Sequence, residues 1–561
     1  MGIGNFTFEI AIVRPMTTKK SSPSGKSLAR GTAIVGSLTA MSRVLGFVRD
    51  LLFARILGAG LSADIFLVAF RIPNTMRAFF AEGALSSAFI PVLAEEMQKE
   101  QKGAVDFYRK AIGAMLCIVL LCILIMFIFS EEVVLLFAGG FARDSATIHE
   151  TAALLRIMLP YLPSIMIVVL INGLLTTLHK YGAGSIAQIL VNLCLISGAL
   201  AAAFWEPNDR GRVLAWSVFI AAMIQYGALF PLSQKVGFPP LPLWPRWDAA
   251  LGKMFWLMIP AILGAAVYQC TILLNTVLAS FLRVGSISWL FYADRIAQLP
   301  IGIFTVALSS VLLPHLARTH ADGSREETIQ RLSEAVRYSI FFLLPISIGI
   351  SLTAEPVIGL LFERGKFSAA DSWESAKALR WYALGLTPLS LYAVISRLFI
   401  ARKQAIIPAC IGIAVLAISL CVSLAMMGPI EPVKDSRLSD IISALQGLLP
   451  WSLNLGHEGL AISSAVAAAT SLILSLVALS KDERRTVIES ILQSLRVIPA
   501  ALLVGSLCLF LNQFKLPNYL HILIILPVSV AVFVIIAKIS KCKEQEETFA
   551  VLRRYLSRKE L

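Results

Sequence analysis

The sequence predicts an all-α polytopic membrane protein, and three observations support that class. Of 561 residues, 57% are hydrophobic and 15% charged, with mean hydropathy +0.78; a soluble domain carries about 25% charged residues. Apolar runs long enough to cross a bilayer, roughly 20 residues each, recur along the whole chain. The basic residues behind the formal net charge of +14 gather in the polar breaks between those runs. Loop lysines and arginines accumulate there on the cytoplasmic side of membrane proteins, so a nucleic-acid partner is not expected.

Taken in order, the runs predict about fourteen helices, near 31–57, 62–93, 107–130, 150–178, 184–205, 212–234, 249–282, 285–317, 329–354, 374–401, 405–427, 458–480, 489–512 and 519–540. A polar, basic tail, 1–30, precedes them, and a basic tail, 541–561, follows. An even number of spans returns both termini to one side. Placing them in the cytoplasm puts about 29 Lys/Arg in cytoplasmic segments and about 10 in external ones. The segment 429–456 is then an external loop with an apolar stretch of its own.

Part of the chain repeats. Residues 84–94, ALSSAFIPVLA, match 307–317, ALSSVLLPHLA, at seven of eleven positions, and with one gap Arg71-Ile72 falls on Arg295-Ile296. The two segments end the second and the eighth predicted helices. The repeat unit is therefore six helices, giving two pseudo-symmetric lobes, 31–235 and 249–480, joined by a linker, 236–248, rich in proline (Pro239, Pro240, Pro242, Pro245). The last two helices, within 481–540, fall outside the repeat. Two parallel six-helix halves with a site between them is a transporter plan.

The informative residues are charges where charge is expensive. An Arg near the centre of a span costs about 2.5–3.5 kcal/mol on an insertion scale. The first helix nevertheless carries Arg43, Arg49 and Asp50, the second Asp64, Arg71, Arg77 and Glu82, and the eighth Asp294 and Arg295. At about 100° per residue Arg43 and Asp50 share a face, whereas Arg49 is turned about 100° from Asp50 and should meet another neighbour. Asp64, Arg71 and Glu82 nominally share a face, with Arg77 pointing away; Pro73 interrupts that helix. Asp64, Arg71 and Asp294 read as ties between helices or as interfacial charges. Arg43, Arg49, Arg77 and Arg295 read as a site facing a polar cavity. Guanidinium keeps its charge and grips phosphate oxygens in a fork, so an Arg-rich cavity suits a diphosphate better than a cation. No nucleotide motif, catalytic triad or HExxH pattern occurs. The chain is thus expected not to be an enzyme and to carry no cofactor or metal.

Several of these stretches resemble the MurJ (MviN) family. They are Met41-Ser42-Arg43-Val44-Leu45-Gly46-Phe47-Val48-Arg49-Asp50, Gly58-Ala59-Gly60 with Asp64, Phe70-Arg71-Ile72-Pro73-Asn74, Phe80-Ala81-Glu82-Gly83-Ala84, and Ser288-Trp289-Leu290-Phe291-Tyr292-Ala293-Asp294-Arg295. The resemblance implies a flippase of the multidrug/oligosaccharidyl-lipid/polysaccharide exporter superfamily. Such a protein moves lipid II to the outer leaflet of the bacterial inner membrane by alternating access, in cell-wall biogenesis. It further implies that Arg43, Arg49, Arg77 and Arg295 line a cationic cavity for the diphosphate-sugar head, with Asp50, Asn74 and Glu82 beside them. The last two helices would hold the polyprenyl tail, and membrane lipids and other cell-wall synthesis proteins would be partners. One departure concerns the driving force. Sodium-binding members use carboxylates in the second lobe, including the eleventh helix, and here 404–427 contains no Asp or Glu. The membrane potential then acts on the charged site directly. Three other readings remain open: a flippase for another polyprenyl-diphosphate oligosaccharide, a multidrug or cation antiporter with a carboxylate-dominated cavity, and a membrane glycosyltransferase using Asp50 or Glu82.

The topology is testable. A thiol introduced at Ser436, in the loop read as external, should react with an impermeant reagent in intact cells; protection there would overturn the map.

Overall fold

The computed structural model describes residues 25–80, 84–180, 182–433, 436–449, 452–514, 517–540, 542 and 544–546. Among these the regular structure is helical. In chain order the helices are α1 (Gly25–Leu57), α2 (Leu61–Phe80), α3 (Ala84–Lys99), α4 (Gln101–Ile128), α5 (Ser130–Phe137), α6 (Ser145–Met158), α7 (Tyr161–Thr177), α8 (Gly182–Ala202), α9 (Arg210–Lys235), α10 (Ala249–Ser280), α11 (Ser286–Pro300), α12 (Val306–Ala321), α13 (Arg325–Leu352), α14 (Ala354–Phe362), α15 (Ala369–Ala401), α16 (Ile406–Met426), α17 (Arg437–Gly447), α18 (His457–Ala478), α19 (Lys481–Ser494), α20 (Ile498–Asn512) and α21 (Asn518–Ile539). Nine helical segments among the described residues are long and apolar enough to cross a membrane, with shorter apolar helices besides. The chain is a multi-pass membrane protein.

Every predicted span finds helix, and among the described residues three are not single rods. The span at 62–93 is α2 and α3, flanking residues 81–83, which lie outside the described residues. The span at 285–317 is α11 and α12 with a π turn, Ile301–Thr305, between them. Pro300 supplies the reason: it has no N–H for the ladder and its ring crowds the preceding turn. At 150–178 the chain breaks into α6 and α7 beside Pro160, and at 489–512 the apolar rod, α20, begins only after the polar α19. The repeated sequence thus falls on α3 and α12.

The helix starts follow local chemistry. Asp144 accepts from the amides of Ala146 and Thr147 to begin α6, Asp248 accepts from Leu251 to begin α10, and Ser368 with Asp371 forms a capping box on α15. In the N-terminal part α8 packs on α1 and α9, α7 on α3 and α9, and α2 on α6. In the C-terminal part α15 lies at the centre, against α18, α13, α11, α12 and α14. Helix α10 crosses between the two sets, packing on α3 and on α16. Helices α20 and α21 pack on each other and reach the rest through α13 and α14. A continuous core runs from Phe53 through Phe66, Tyr292 and Phe362 to Ala461. The opposite faces carry bare aliphatic side chains, as Leu120, Leu121, Leu124, Ile125 and Ile128 do on α4, which suits hydrocarbon rather than water.

The apolar stretch of the 429–456 loop is α17, held to the chain before it by Gln446, whose Nε2 donates to Gly428 O at 2.7 Å. Ser436 caps this helix, accepting from Ser439 N, and is only 8% exposed. A thiol there would be shielded on either side of the membrane. The topology test therefore moves one residue, to exposed Arg437: Arg437→Cys should label in intact cells if the loop is external and only after permeabilisation if it is not.

Candidate functional site

Helix α1 is apolar on its outer faces, so its polar residues turn inward, where they meet α2, α8, α11 and α15 around a cavity of about 2610 Å³. Asp50, with its side chain 3% exposed, is the most deeply set charge on α1. Arg49 curls back to it, with Nε to Oδ1 at 2.9 Å and Nη2 to the same oxygen at 2.8 Å. Its Nη1 donates to Asn192 Oδ1 on α8 at 3.1 Å, and Asn192 Nδ2 donates in turn to Ser42 O at 2.9 Å. From α11, Arg295 Nε approaches Asp50 Oδ2 at 3.3 Å, an ion pair without the alignment of a hydrogen bond, while its guanidinium lies over the Phe291 ring at 4.5 Å. One carboxylate thus joins guanidiniums from two helices. As expected, Arg49 meets a neighbour other than Asp50, in Asn192, but its long side chain also reaches back to the carboxylate beside it.

On α2 the cavity receives Arg71, Asn74 and Arg77. Asn74 Nδ2 donates to Phe70 O at 2.9 Å, and its Oδ1 accepts from Arg77 Nε at 3.3 Å. Arg77 therefore does not point away: Pro73 breaks the regular ladder, and Asn74 holds the guanidinium on the cavity side. Arg71 Nη1 bonds Thr276 Oγ1 on α10, and Asp294 accepts from Gln298 Nε2 while lying within electrostatic reach of Arg295 and Arg71. Arg43, exposed to the cavity, rests its guanidinium against Gly302 in the π turn, a place where any β-carbon would collide with it. Glu82 lies outside the described residues.

Asp64 stands apart from this group. It is 3% exposed and lines no part of the cavity. Its Oδ2 accepts from Gly285 N at 2.7 Å and its Oδ1 from Ser288 N at 2.9 Å and from Ser288 Oγ, so it serves as the cap of α11 from another helix. Around it the helices close on one another. Tyr292 Oη donates to Gly58 O at 3.1 Å, and Lys366 N donates to Arg55 O at 3.0 Å. Gly285, at φ 96°, sits so close to Ala59 O that a side chain would not fit.

Asn192 and Arg397 are among the cavity residues not singled out from the sequence. Asn192 is neutral and looks like any polar residue of an apolar run. Arg397, on α15, sits four residues from the end of its predicted span; it lines the cavity, and its Nε has no hydrogen-bond partner among the described residues. With it the described lining holds six arginines against two aspartates, Asp50 and Asp294. In a recess walled by apolar side chains such an excess focuses a positive potential.

A helical membrane transporter with a cationic internal cavity is the class that the fold and the site define. The lipid II flippase MurJ family model matches residues 53–532. Relatives include the probable lipid II flippase MurJ of Haemophilus influenzae, 36% identical over 67% of this chain and 76% of that protein, and the lipid II flippase MurJ of Burkholderia cenocepacia, 31% identical over 81% and 84%. Among solved structures, a lipid II flippase MurJ in an inward closed conformation superposes with TM-score 0.71 over 90% of this chain and 98% of its own, at 22% identity. An inward-facing multidrug transporter of the MATE family gives 0.63 over 82% and 98%, at 13% identity. This chain belongs to the lipid II flippase MurJ family.

Asp64 offers a test of the closure. Asp64→Ala would strand the amide donors of Gly285 and Ser288, at about 1–3 kcal/mol for each buried donor left unpaired. The variant should unfold at lower temperature in detergent, and Asp64→Asn, which keeps an acceptor oxygen, should lose less. Wild-type unfolding of Asp64→Ala would show that the cap carries no load.

Proposed function

We propose that this protein is a flippase that carries lipid II from the inner to the outer leaflet of the bacterial cytoplasmic membrane. The observation that carries the proposal is the cavity lining of six arginines and two aspartates. A lipid diphosphate brings about two negative charges and a ring of acceptor oxygens, which guanidinium forks match in charge and shape. Family membership supplies the substrate, since the relatives are named for lipid II.

In this reading Arg43, Arg49, Arg77 and Arg295 grip the diphosphate. Asp50 aims Arg49 and Arg295, Asn74 aims Arg77, and Arg71 with Asp294 supports them. The lobes 31–235 and 249–480 rock about the site, with both termini in the cytoplasm, and the inward closed state named for one relative is a stage such a cycle contains. The helix expected to supply sodium-binding carboxylates has none, so the membrane potential acts on the charged site itself, at about 2.3 kcal/mol per charge per 100 mV. A multidrug or cation antiporter would need the opposite polarity in the cavity. A glycosyltransferase would leave a changed lipid, so product analysis after turnover separates it from a flippase.

The direct test is translocation of lipid II in vesicles with a defined potential and ion gradient. Within it, Arg49→Glu should be worse than Arg49→Ala. The glutamate repels the diphosphate and crowds Asp50 with a second carboxylate, whereas alanine removes one grip. Full activity of both variants at matched expression would remove Arg49 from the site.

Helices α20 and α21 are read as the seat of the polyprenyl tail. Val504 and Cys508 turn into the packing with α13 and α21, whereas Leu502, Leu503, Leu509 and Phe510 are bare. A buried methylene gains about 0.8 kcal/mol, enough to hold a long chain on such a face. Photo-crosslinkers along 502–511 should capture the polyprenyl lipid with helical period, at Leu502, Leu509 and Phe510. Uniform capture, matching bulk phospholipid, would mean that these helices merely face the bilayer.

A further inference from the structure

The linker between the lobes carries bare aromatic side chains, and nothing in the transport reading uses it. Trp244 is 78% exposed, Trp247 73% and, two turns into α10, Trp256 75%. A loop left to water would not keep two indoles bare beside a third on the helix that follows. This one is held rigidly in that pose. Leu243 N donates to Arg109 O at 3.0 Å and Arg109 Nε to Leu241 O at 3.2 Å, so the backbone is strapped along α4. Gly113 makes the close approach possible, because a β-carbon there would meet Leu243 O. Lys110 Nζ pairs with Asp248 at 2.8 Å, and the Trp247 ring stacks on Phe255 at 5.5 Å.

Position identifies what covers the rings. Helix α9 leads into the linker and is 26 residues long, about 39 Å at 1.5 Å per residue, close to the thickness of a bilayer with its headgroup regions. Just before its other end stand Phe204, 92% exposed, and Trp205, 57% exposed. Bare aromatics therefore bracket one membrane-length helix at both ends, the arrangement of an interfacial belt. The linker rings also continue into the bare aliphatic surface of α10, through Leu257 and Ile259. Arg246, exposed between Trp244 and Trp247, has no ion-pair partner among the described residues.

We propose that the linker is a membrane-interface anchor, with Trp244, Trp247 and Trp256 seated at the headgroup–acyl boundary and Arg246 paired with the phosphate of an anionic phospholipid. The indole suits that depth because its body is apolar and its N–H seeks a polar partner. Strapped to α4 and capping α10 through Asp248, the anchor fixes the start of α10 to the membrane plane together with the N-terminal helices.

Trp244→Phe isolates the signal, since so exposed a ring supports no packing and the variant should fold. In nanodiscs, the emission lost on this substitution should vanish when the lipid carries bromine near the carbonyl end of its chains, and should resist aqueous iodide. Brominated phosphatidylglycerol should quench it more than brominated phosphatidylcholine, and Arg246→Glu should abolish that preference. Quenching by iodide with indifference to brominated lipid overturns the anchor and leaves the surface to a soluble partner. Equal quenching by the two lipids overturns the pairing of Arg246 with anionic headgroups.

Discussion

The site is organised by a buried carboxylate shared between two guanidiniums. Asp50 is 3% exposed, and a lone carboxylate at that depth would be prohibitively costly. Its two oxygens are occupied instead by Arg49 from the same helix and Arg295 from α11. The ion pair therefore does more than neutralise charge. It fixes where two arginines point, joins the first helix to the C-terminal set, and still leaves the pair of guanidiniums one positive charge in excess. An anion entering the cavity meets cations already aimed, with little side-chain entropy left to lose.

The interrupted helices follow from placing charge inside a membrane. A continuous apolar rod offers no polar surface, whereas a helix broken by proline or a π turn exposes backbone groups and brings small residues into line. The cavity uses a proline inside a continuous helix and a π turn. Pro73 lies between Arg71 and Arg77, and Asn74 restores the order that the proline removes. Pro300 begins the π turn whose Gly302 receives the Arg43 guanidinium. Irregular backbone is tolerable at this depth because it faces a polar cavity rather than lipid.

Much of this was legible in the sequence because the bilayer imposes simple rules. Runs of some twenty apolar residues give the spans, and an intramembrane charge is rare enough to mark a site. Arg43, Arg49, Arg77 and Arg295 were read as facing a polar cavity, and they line one together with Asp50 and with Asp294, which was read as a tie between helices or an interfacial charge. Arg71 and Asn74 join them there, while Asp64 instead caps α11. What the sequence hides is direction. Helical periodicity orients Cα–Cβ bonds, but an arginine reaches several ångströms beyond its Cβ, so Arg49 holds Asp50 as well as Asn192, and Arg77 reaches the cavity that Arg71 also lines. Asn192 was invisible for another reason: a neutral amide costs far less to bury than a charge, and only its two partners, Arg49 and Ser42, reveal its role.

The contrast between the cavity and the last two helices bears on how an amphiphile could be moved at all. A lipid diphosphate has a head that needs cations and a tail that needs hydrocarbon, and no single surface satisfies both. The cavity supplies guanidiniums within a lining otherwise largely apolar, whereas α20 and α21 carry aliphatic faces and almost no charge. Charge kept out of α20 and α21 costs nothing to hold in lipid; charge kept in the cavity is stabilised by Asp50 and Asp294 while it is empty. In the proposed reading, dividing the two tasks between separate helices would let the head site change its exposure to either side of the membrane without requiring the tail to leave hydrocarbon. That would remove from the transport step the largest penalty it would otherwise face, since each methylene drawn into water costs about 0.8 kcal/mol. What remains to be overcome is the transfer of the charged head, and it is this component that a cationic cavity lowers.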